Sequence, residues 1–549
     1  MKFNLIDEKW IPVKRKDGTP DRIRPWEVTD DFEKNPVVAL DAPRPDFNGA
    51  LIQFLIGLVQ TTFAPAKPIE WKQKLRTAPS PDQLKTAFMT VHHAFELGGD
   101  GPRFMQDFNK LETKAGTIDG LLIDTPGEKT CEDNTDHFIK RNAVRALCPS
   151  CCATAIFTMQ TNSPAGGSGY RTSLRGGGPL TTIVIGDKDF DMLWHTIWLN
   201  VLEAKTFLSM CNSTQSADSN KFPWLSVTKA QITEQDIHPA QYFWAMPRRI
   251  NLDTDAPSSG NCDICSQQSD DLIVSYKEVN KGTEYKAPMK HPLSAFDTRI
   301  KKNQKTQKEE ARNKALLTQP GGVGYRHWLG LVLENKKVKK EGDKEIQMGG
   351  IEAARVVHEY INERQMGDWQ LRLWAFGYDM DNMKARCWYE SMIPLISVES
   401  SIKGAFEDGT VNMIKASSEI VGNLRSAAKA AWFKRPGDIK GNMSFVDSTF
   451  WQNTESVFYE TLNGIITALA SGGDSISARI AWHKTLCDEA LRIFDMLAWN
   501  GPVEDADPRR VVKARKAMES YNNGKKIKEL LGLPVTKKTT AKGKKKATP

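Results

Sequence analysis

The sequence predicts an α+β protein: a large mixed N-terminal domain with a zinc-stapled region, followed by a C-terminal antiparallel four-helix bundle. Three observations lead there. Residues 1–392 alternate short β-prone runs with isolated helix-period segments. Two CxxC knuckles, Cys148–Cys151 and Cys262–Cys265, sit inside that mixed region. From Glu390 onward the texture changes to four long helix-period segments with short breaks. The expected domains are 1–392, the bundle at 393–533, and a basic disordered tail at 534–549.

Taken in order, Phe3–Val13 alternates loosely and carries Pro12 near its end, the pattern of an edge strand. Ala50–Phe63 is apolar enough for a buried helix, stopped by Pro65 and Pro68. Pro81–Leu97 reads as a second helix, with Ser80 at the N-cap and Pro81 at the first helical position. Thr125–Asp136 is polar, broken by Pro126 and Gly127, and reads as a long loop. After the first knuckle, Ala153–Met159 is an apolar β-type run. Two glycine-rich loops follow, threaded with Tyr170, Arg171 and Arg175. Short strands are expected at Leu180–Ile185 and Asp271–Tyr276, joined by solvated lysine-rich connections at Lys286–Lys314 and Lys336–Lys344. In Leu371–Trp388, aromatic flanks surround a polar centre, Asp379–Lys384, which predicts a hairpin with a polar tip. The bundle helices are expected at Ser400–Phe433, Val446–Ala470, Ser475–Trp499 and Pro508–Leu531.

Bulk properties narrow the function classes. Hydrophobic residues make up 40% of the 549 and charged residues 26%, ordinary for a globular chain. No apolar run approaches the ~18 residues of a membrane span. The N-terminus has charges inside its apolar segment and does not read as a signal peptide, so a cytoplasmic location and no membrane partner are expected. The net charge is +8, but Lys537–Pro549 carries six lysines and no acid. Without that tail the balance falls to about +2, so a nucleic-acid surface has to be local. Nine cysteines without a secretory signal read as reduced thiols.

Each knuckle offers two thiolates, and two knuckles close a structural four-cysteine zinc site: Cys148, Cys151, Cys262 and Cys265. Unligated buried cysteines are the alternative, and Cys152 blurs the first register. A thioredoxin-type motif fits less well, because neither knuckle is expected to open a helix after a strand. The glycine run after Ser163 lacks the glycine-lysine-serine/threonine ending of a phosphate-binding P-loop. Its glycines allow close backbone approach and its arginines offer phosphate contacts, with a plain mobile turn as the alternative. Catalytic candidates are thin. His358 and Glu359 begin a near miss to H-E-x-x-H, with Asn362 at the place of the second histidine. Asp379 and Asp381 could bind Mg²⁺, or simply form a polar hairpin tip. The sequence therefore reads as a binder. A zinc-dependent hydrolase or nuclease, and a zinc-stapled RNA or protein scaffold, are the alternatives.

Several motifs in order resemble one family. Asn4–Val13, Ala64–Lys67, Phe104–Gln106, the first knuckle, Pro164–Arg171, Leu174–Gly177, the second knuckle and His291-Pro292 are similar to the large subunit (CasA) of the type I-E CRISPR surveillance complex Cascade. The resemblance implies a non-catalytic subunit that inspects double-stranded DNA for the protospacer-adjacent motif (PAM) from the minor groove. It then starts unwinding for R-loop formation and helps recruit the helicase–nuclease. By that resemblance the PAM loop is Ala165, Gly166, Gly167, Ser168 and Gly169, with Arg171 beside it; Ala165 and Ser168 stand where the family is richer in glycine. A minor-groove lysine falls on Lys277 or Lys281, with Asn280 at the ungapped position. The wedge hairpin tip is Asp381, Asn382 and Met383. The loop Thr125–Leu147, with Phe138, Lys140, Arg141 and Arg145, corresponds to the part that meets the crRNA and neighbouring subunits. Implied partners are target DNA, crRNA, the backbone, small and crRNA-processing subunits, and the helicase–nuclease.

Overall fold

The N-terminal core is organised around one helix, α1 (Pro45–Thr62), whose residues are buried on every side from Phe47 to Gln60 apart from Asn48. Pro45 sits in its first turn, where a missing N–H costs nothing. The Phe54 ring lies edge-on to five others, Trp10, Phe95, Phe104, Phe157 and Trp244, at centroid distances of 5.2–5.9 Å. Such pairs add about 0.5–1.5 kcal/mol each beyond their burial. This is a computed structural model. It describes residues 1–535 except 135, 137–140, 168, 188–189, 287–288, 303–308, 319–321, 333–334, 342–343, 365–368, 382–383, 397, 439–440, 442 and 500–506. The expected basic tail from Lys537 lies outside the described residues.

Strands β1 (Ile11–Arg15), β2 (Pro20–Ile23) and β3 (Val37–Leu40) form an antiparallel sheet in the order β2-β1-β3. The strand expected at an edge is therefore central. Pro12 is tolerated because it stands at the end of the ladder with β3, where its carbonyl still accepts from the Asp41 N–H at 2.9 Å. Helix α2 (Pro81–Met89) has the expected Ser80 cap, closed as a capping box with Gln83. The loop expected from Thr125 contains a short helix, Glu128–Glu132.

The apolar run after the first knuckle is a helix, α3 (Pro149–Asn162), not a strand. It is buried on nearly all sides, so no hydrophobic period distinguishes the two states, and Pro149 at its first position was the available signal. Strand β4 (Thr181–Ile185) follows, then β5 (Arg249–Leu252), β6 (Ser258–Asn261), β7 (Gln268–Leu272) and β8 (Ser275–Val279). The single strand expected at Asp271–Tyr276 is thus split between β7 and β8. The split falls where Ile273 leaves to bridge Leu147. The lysine-rich runs also differ from expectation. They contribute to β9 (Phe296–Lys302), β10 (Glu309–Ala315), β11 (Asn335–Glu341) and β12 (Lys344–Glu352), an antiparallel sheet ordered β10-β9-β12-β11. Lysine-rich β11 is an edge strand, the position where charge resists edge-to-edge pairing. The hairpin is present as β13 (Leu371–Asp381) and β14 (Lys384–Leu395), and β4 pairs with the other side of β13.

The chain divides into two compact units, Met1–Val323 with Trp328–Ser397, and Gly324–His327 with Val398–Pro549. The second is helical: α4 (Ser400–Trp432), α5 (Ser444–Ala470), α6 (Ile476–Trp499), α7 (Pro508–Asn522) and α8 (Lys525–Leu530). The last expected helix is broken at Asn523-Gly524, where glycine has low helix propensity. Tyr325 is inserted into this unit. Its ring stacks on Phe458 at 4.3 Å, and its hydroxyl lies 2.9 Å from Thr454 Oγ1.

Candidate functional site

The first knuckle opens α3, with Cys148 as N-cap. The second lies between β6 and β7. Asp263, inside the second knuckle, ties the two together without any thiol. Its carboxylate accepts from the N–H groups of Arg145 (2.6 Å) and Ala146 (2.9 Å). Its own N–H donates to the Ala146 carbonyl at 3.0 Å. Leu147 and Ile273 exchange a further pair of backbone bonds of 3.0 and 2.9 Å. The sulfurs of Cys148, Cys151, Cys262 and Cys265 consequently gather within 4.8 Å of one another, with Cys148 and Cys265 at 3.6 Å. A tetrahedral metal with bonds of about 2.3 Å requires sulfurs about 3.8 Å apart, so the donor set fits a soft divalent ion.

The four thiols share their protons unequally: hydrogen bonds from Cys148 and Cys151 lower the Cys262 and Cys265 pKa values, while those of Cys148 and Cys151 are pushed up. A metal that takes all four as thiolates therefore displaces protons on binding. Cys152 stands outside the cluster, and burial pushes its thiol up. Since Cys148 does open a helix, helix position alone does not set this motif apart from a redox pair. The second pair of sulfurs facing it does.

The end of α3 leads into the glycine loop. Gly166 and Tyr170 pair across a tight turn, in which Gly167 and Gly169 take φ of +51° and +86°. These are left-handed conformations that glycine adopts without a Cβ penalty. The Gly169 carbonyl accepts from the Lys281 N–H at 2.9 Å. A Cβ at Gly169 would stand 3.3 Å from that nitrogen and 3.5 Å from Asn280 Cβ. Asn280 and Lys281 therefore adjoin the turn, whereas Lys277 is held in β8 opposite Asn251. Ser168 lies outside the described residues. Arg171 pairs with Glu284 at 3.2 Å.

Arg175 is not a surface arginine. It is buried, donating to Gln53 (2.7 Å), Thr181 (2.9 Å) and Ser294 (3.1 Å), and burial lowers its pKa to about 9. It clamps the second glycine loop to α1 and β4.

The hairpin meets the same loops. A Cβ on Gly178 would lie 2.6 Å from both Met380 Cγ and the Tyr378 carbonyl, and one on Gly377 would lie 2.5 Å from the Pro179 carbonyl. The second glycine loop is thus packed directly on the hairpin stem. A cleft of about 520 Å³ opens here, lined by Ala165, Gly176, Gly177, Tyr285 and Met380 among others. On the opposite side the stem is tied to α1: the Tyr378 hydroxyl donates to Asp46 at 2.6 Å, and burial pushes that phenol up. Arg44 holds both Asp46 oxygens at 3.0 Å and reaches Asp124 at 2.9 Å. Asp381 is the last described residue before the tip; Asn382 and Met383 lie outside the described residues.

The remaining candidate carboxylates are paired with arginines. Asp379 accepts two bonds from Arg386, of 2.8 and 3.0 Å, and Asp381 lies 3.6 Å from the same guanidinium. Glu359 pairs with Arg355 at 2.6 Å. In the loop before the first knuckle, Arg141 is exposed and bonds the Cys131 carbonyl at 2.7 Å and Asn134 at 3.2 Å; Arg145 is exposed too. Phe138 and Lys140 lie outside the described residues. Sequence reasoning missed Asp263, Arg248 and the Asp46–Tyr378 contact. Only Asp263 carried a signal, its place inside a knuckle.

Fold and site together describe a cysteine-stapled α+β platform, in which a glycine turn and a hairpin stem converge on one cleft. The model of the CRISPR-associated protein Cse1 family matches residues 4–493, and the chain belongs to that family. Solved structures of similar fold include Cse1 of Thermobifida fusca, 16% identical with a TM-score of 0.67 over 97% of this chain and 98% of that one. CasA of Thermus thermophilus is also 16% identical, with a TM-score of 0.60 over 97% and 100%. A chain of a CRISPR RNA-guided surveillance complex is 15% identical, with a TM-score of 0.65 over 95% and 100%.

Proposed function

We propose that this chain is the non-catalytic large subunit of a type I-E CRISPR surveillance complex, Cascade, working in the cytoplasm and reading the PAM of double-stranded DNA from the minor groove. The observation that carries this reading, in a member of the Cse1 family, is that Asn280–Lys281 adjoin Gly169 of the glycine turn while Ala165 of the same turn lines a cleft with Met380 of the hairpin stem. The turn offers backbone that can approach a groove closely, and Lys281 or Asn280 offers the side chain that enters it. The minor groove distinguishes mainly A·T from G·C, so several motifs are tolerated. The tip Asp381–Met383 then wedges the first base pairs apart, at an unstacking cost of a few kcal/mol that motif binding offsets. The guide RNA reads the remaining sequence. Arg171 flanks the turn, and Phe138, Lys140, Arg141 and Arg145 meet the crRNA and neighbouring subunits. The C-terminal helices act as a four-helix bundle toward the small subunits. The chain also helps recruit the helicase–nuclease and has no nuclease step of its own. The four-cysteine cluster holds zinc as a structural ion.

The test is a gel shift with the assembled complex. Gly167→Ala puts a Cβ at φ +51°, where L-residues are strained by about 1–2 kcal/mol. It is expected to weaken binding to motif-bearing duplex while crRNA stays bound. Unchanged duplex binding by Gly167→Ala and by Asn382→Ala would refute the assignment. Metal-dependent DNA cleavage by the purified chain, lost in Glu359→Ala, would favour the hydrolase alternative.

A further inference from the structure

Beneath the glycine turn lies a charged residue without an assigned role. Arg248 is buried, with its side chain 7% exposed, and its guanidinium meets both elements of the proposed interface. One nitrogen donates to the Pro164 carbonyl at 2.7 Å, at the root of the glycine turn. Another pairs with Glu278 at 3.0 Å, in the strand that leads to Asn280 and Lys281. The Tyr170 ring, from the far side of the turn, lies over the guanidinium with its centroid 5.0 Å away. Gly166 passes so close that a Cβ there would sit 3.3 Å from Arg248 Nη2 and 2.9 Å from Tyr170 Cβ.

The backbone of Arg248 is held as firmly. The Gln160 side chain, from the last turns of α3, accepts from its N–H at 2.9 Å and donates to its carbonyl at 3.0 Å. Gly282, just past Lys281, runs against the preceding residue: a Cβ there would be 1.9 Å from the Pro247 carbonyl oxygen. Pro247-Arg248 thus forms a post on which both the turn 164–170 and the segment 278–282 are seated.

Geometry explains why an arginine is needed. Burial raises the Glu278 pKa, and the Arg248 guanidinium 3.0 Å away opposes part of that rise. A planar fork can serve the carboxylate and the Pro164 carbonyl in two directions while a ring stacks on its face; an ammonium lacks that plane.

We propose that Arg248 is the positioning residue of the groove-reading surface. It fixes the distance between the glycine turn and Asn280–Lys281, and so sets motif discrimination without touching DNA. This rests on the proposed reading of the site. The experiment compares motif-bearing with motif-free duplex, at several salt concentrations, on assembled complexes carrying wild-type chain, Arg248→Met, Arg248→Lys or Glu278→Gln. A well-aligned groove contact discriminates by about tenfold or more. Arg248→Met is expected to erase a preference of that size while affinity for motif-free duplex and its salt slope stay as in wild type. Arg248→Lys and Glu278→Gln are expected to retain part of the preference.

If wild-type complex shows no motif preference, the functional reading itself fails. If wild type discriminates and Arg248→Met discriminates equally, the positioning role is overturned. An equal loss on both duplexes, together with lower thermal stability, also overturns it in favour of a purely structural role. Should Arg248→Met not assemble, the same comparison is made with Arg248→Lys and Glu278→Gln, and full wild-type preference in both overturns the proposal.

Discussion

Gly49→Ala pits two opposite effects against each other inside α1. Replacing an interior helical glycine by alanine ordinarily stabilises by about 1 kcal/mol. At Gly49, however, the new Cβ would stand 2.7 and 2.8 Å from Trp388 Cζ2 and Cη2, and 2.9 Å from Phe376 Cε2. Carbon contacts are optimal at about 3.5–4.0 Å, so both rings have to retreat. Phe376 is 1% exposed and has nowhere to go. Trp388 can swing only by loosening its 2.7 Å bond to Glu390 and its edge contact with Tyr378 at 5.0 Å. Overpacking of this kind costs about 1–3 kcal/mol and outweighs the helix gain, leaving a net loss on the order of 1 kcal/mol.

The assay is equilibrium urea unfolding followed by tryptophan fluorescence and circular dichroism. Gly422→Ala is the control, because nothing lies within 4 Å of its Cβ in α4. It is expected to shift the unfolding midpoint of the helical unit upward. If Gly49→Ala shifts the midpoint of its own unit upward as well, the packing argument is wrong. Because the strained contacts lie on the hairpin, the same variant is expected to weaken duplex opening more than initial binding.

Three further outcomes are expected. Purified protein should carry about one metal ion per chain by elemental analysis, and Cys262→Ser should release it and destabilise the fold by several kcal/mol; metal retained at wild-type level would contradict the cluster. Tyr378→Phe should cost about 1–2 kcal/mol in urea, since it removes the 2.6 Å bond to Asp46 while Arg44 still holds that carboxylate. Acid should weaken the fold through His238, whose pKa is lowered to about 4 by burial and by nearby Lys221, and whose Nδ1 accepts from the Ala240 N–H at 3.1 Å. In the unfolded chain that imidazole takes its proton near pH 6.5. Between about pH 6.5 and 4 the unfolded state therefore binds more protons, and stability falls as pH falls. His238→Gln should lessen, not abolish, the slope of that part of a stability–pH curve, since burial also lowers His195, His291 and His327.

Much of the N-terminal core and the hairpin could be read locally. The Ser80 cap, the apolar run of α1 and the aromatic flanks around Asp379–Lys384 are signals carried within a few residues. The errors have two causes. Ala153–Met159, buried on nearly all sides, has no period by which helix and strand differ, and the lysine-rich strands owe their state to the partners they pair with.

The candidate site divides the same way. Cysteine spacing marked the metal ligands and glycine content marked a loop of close backbone approach, because metal ligation and left-handed backbone both demand particular residue types; Asn280–Lys281 and the hairpin tip were pointed to only by the family resemblance. Their meeting was decided by tertiary structure. The Asp263 carboxylate joins the two knuckles, the Lys281 N–H reaches Gly169, and the Arg248 guanidinium reaches Pro164. Each of these contacts joins residues at least 84 positions apart, and pairings of that range leave no spacing rule in the chain.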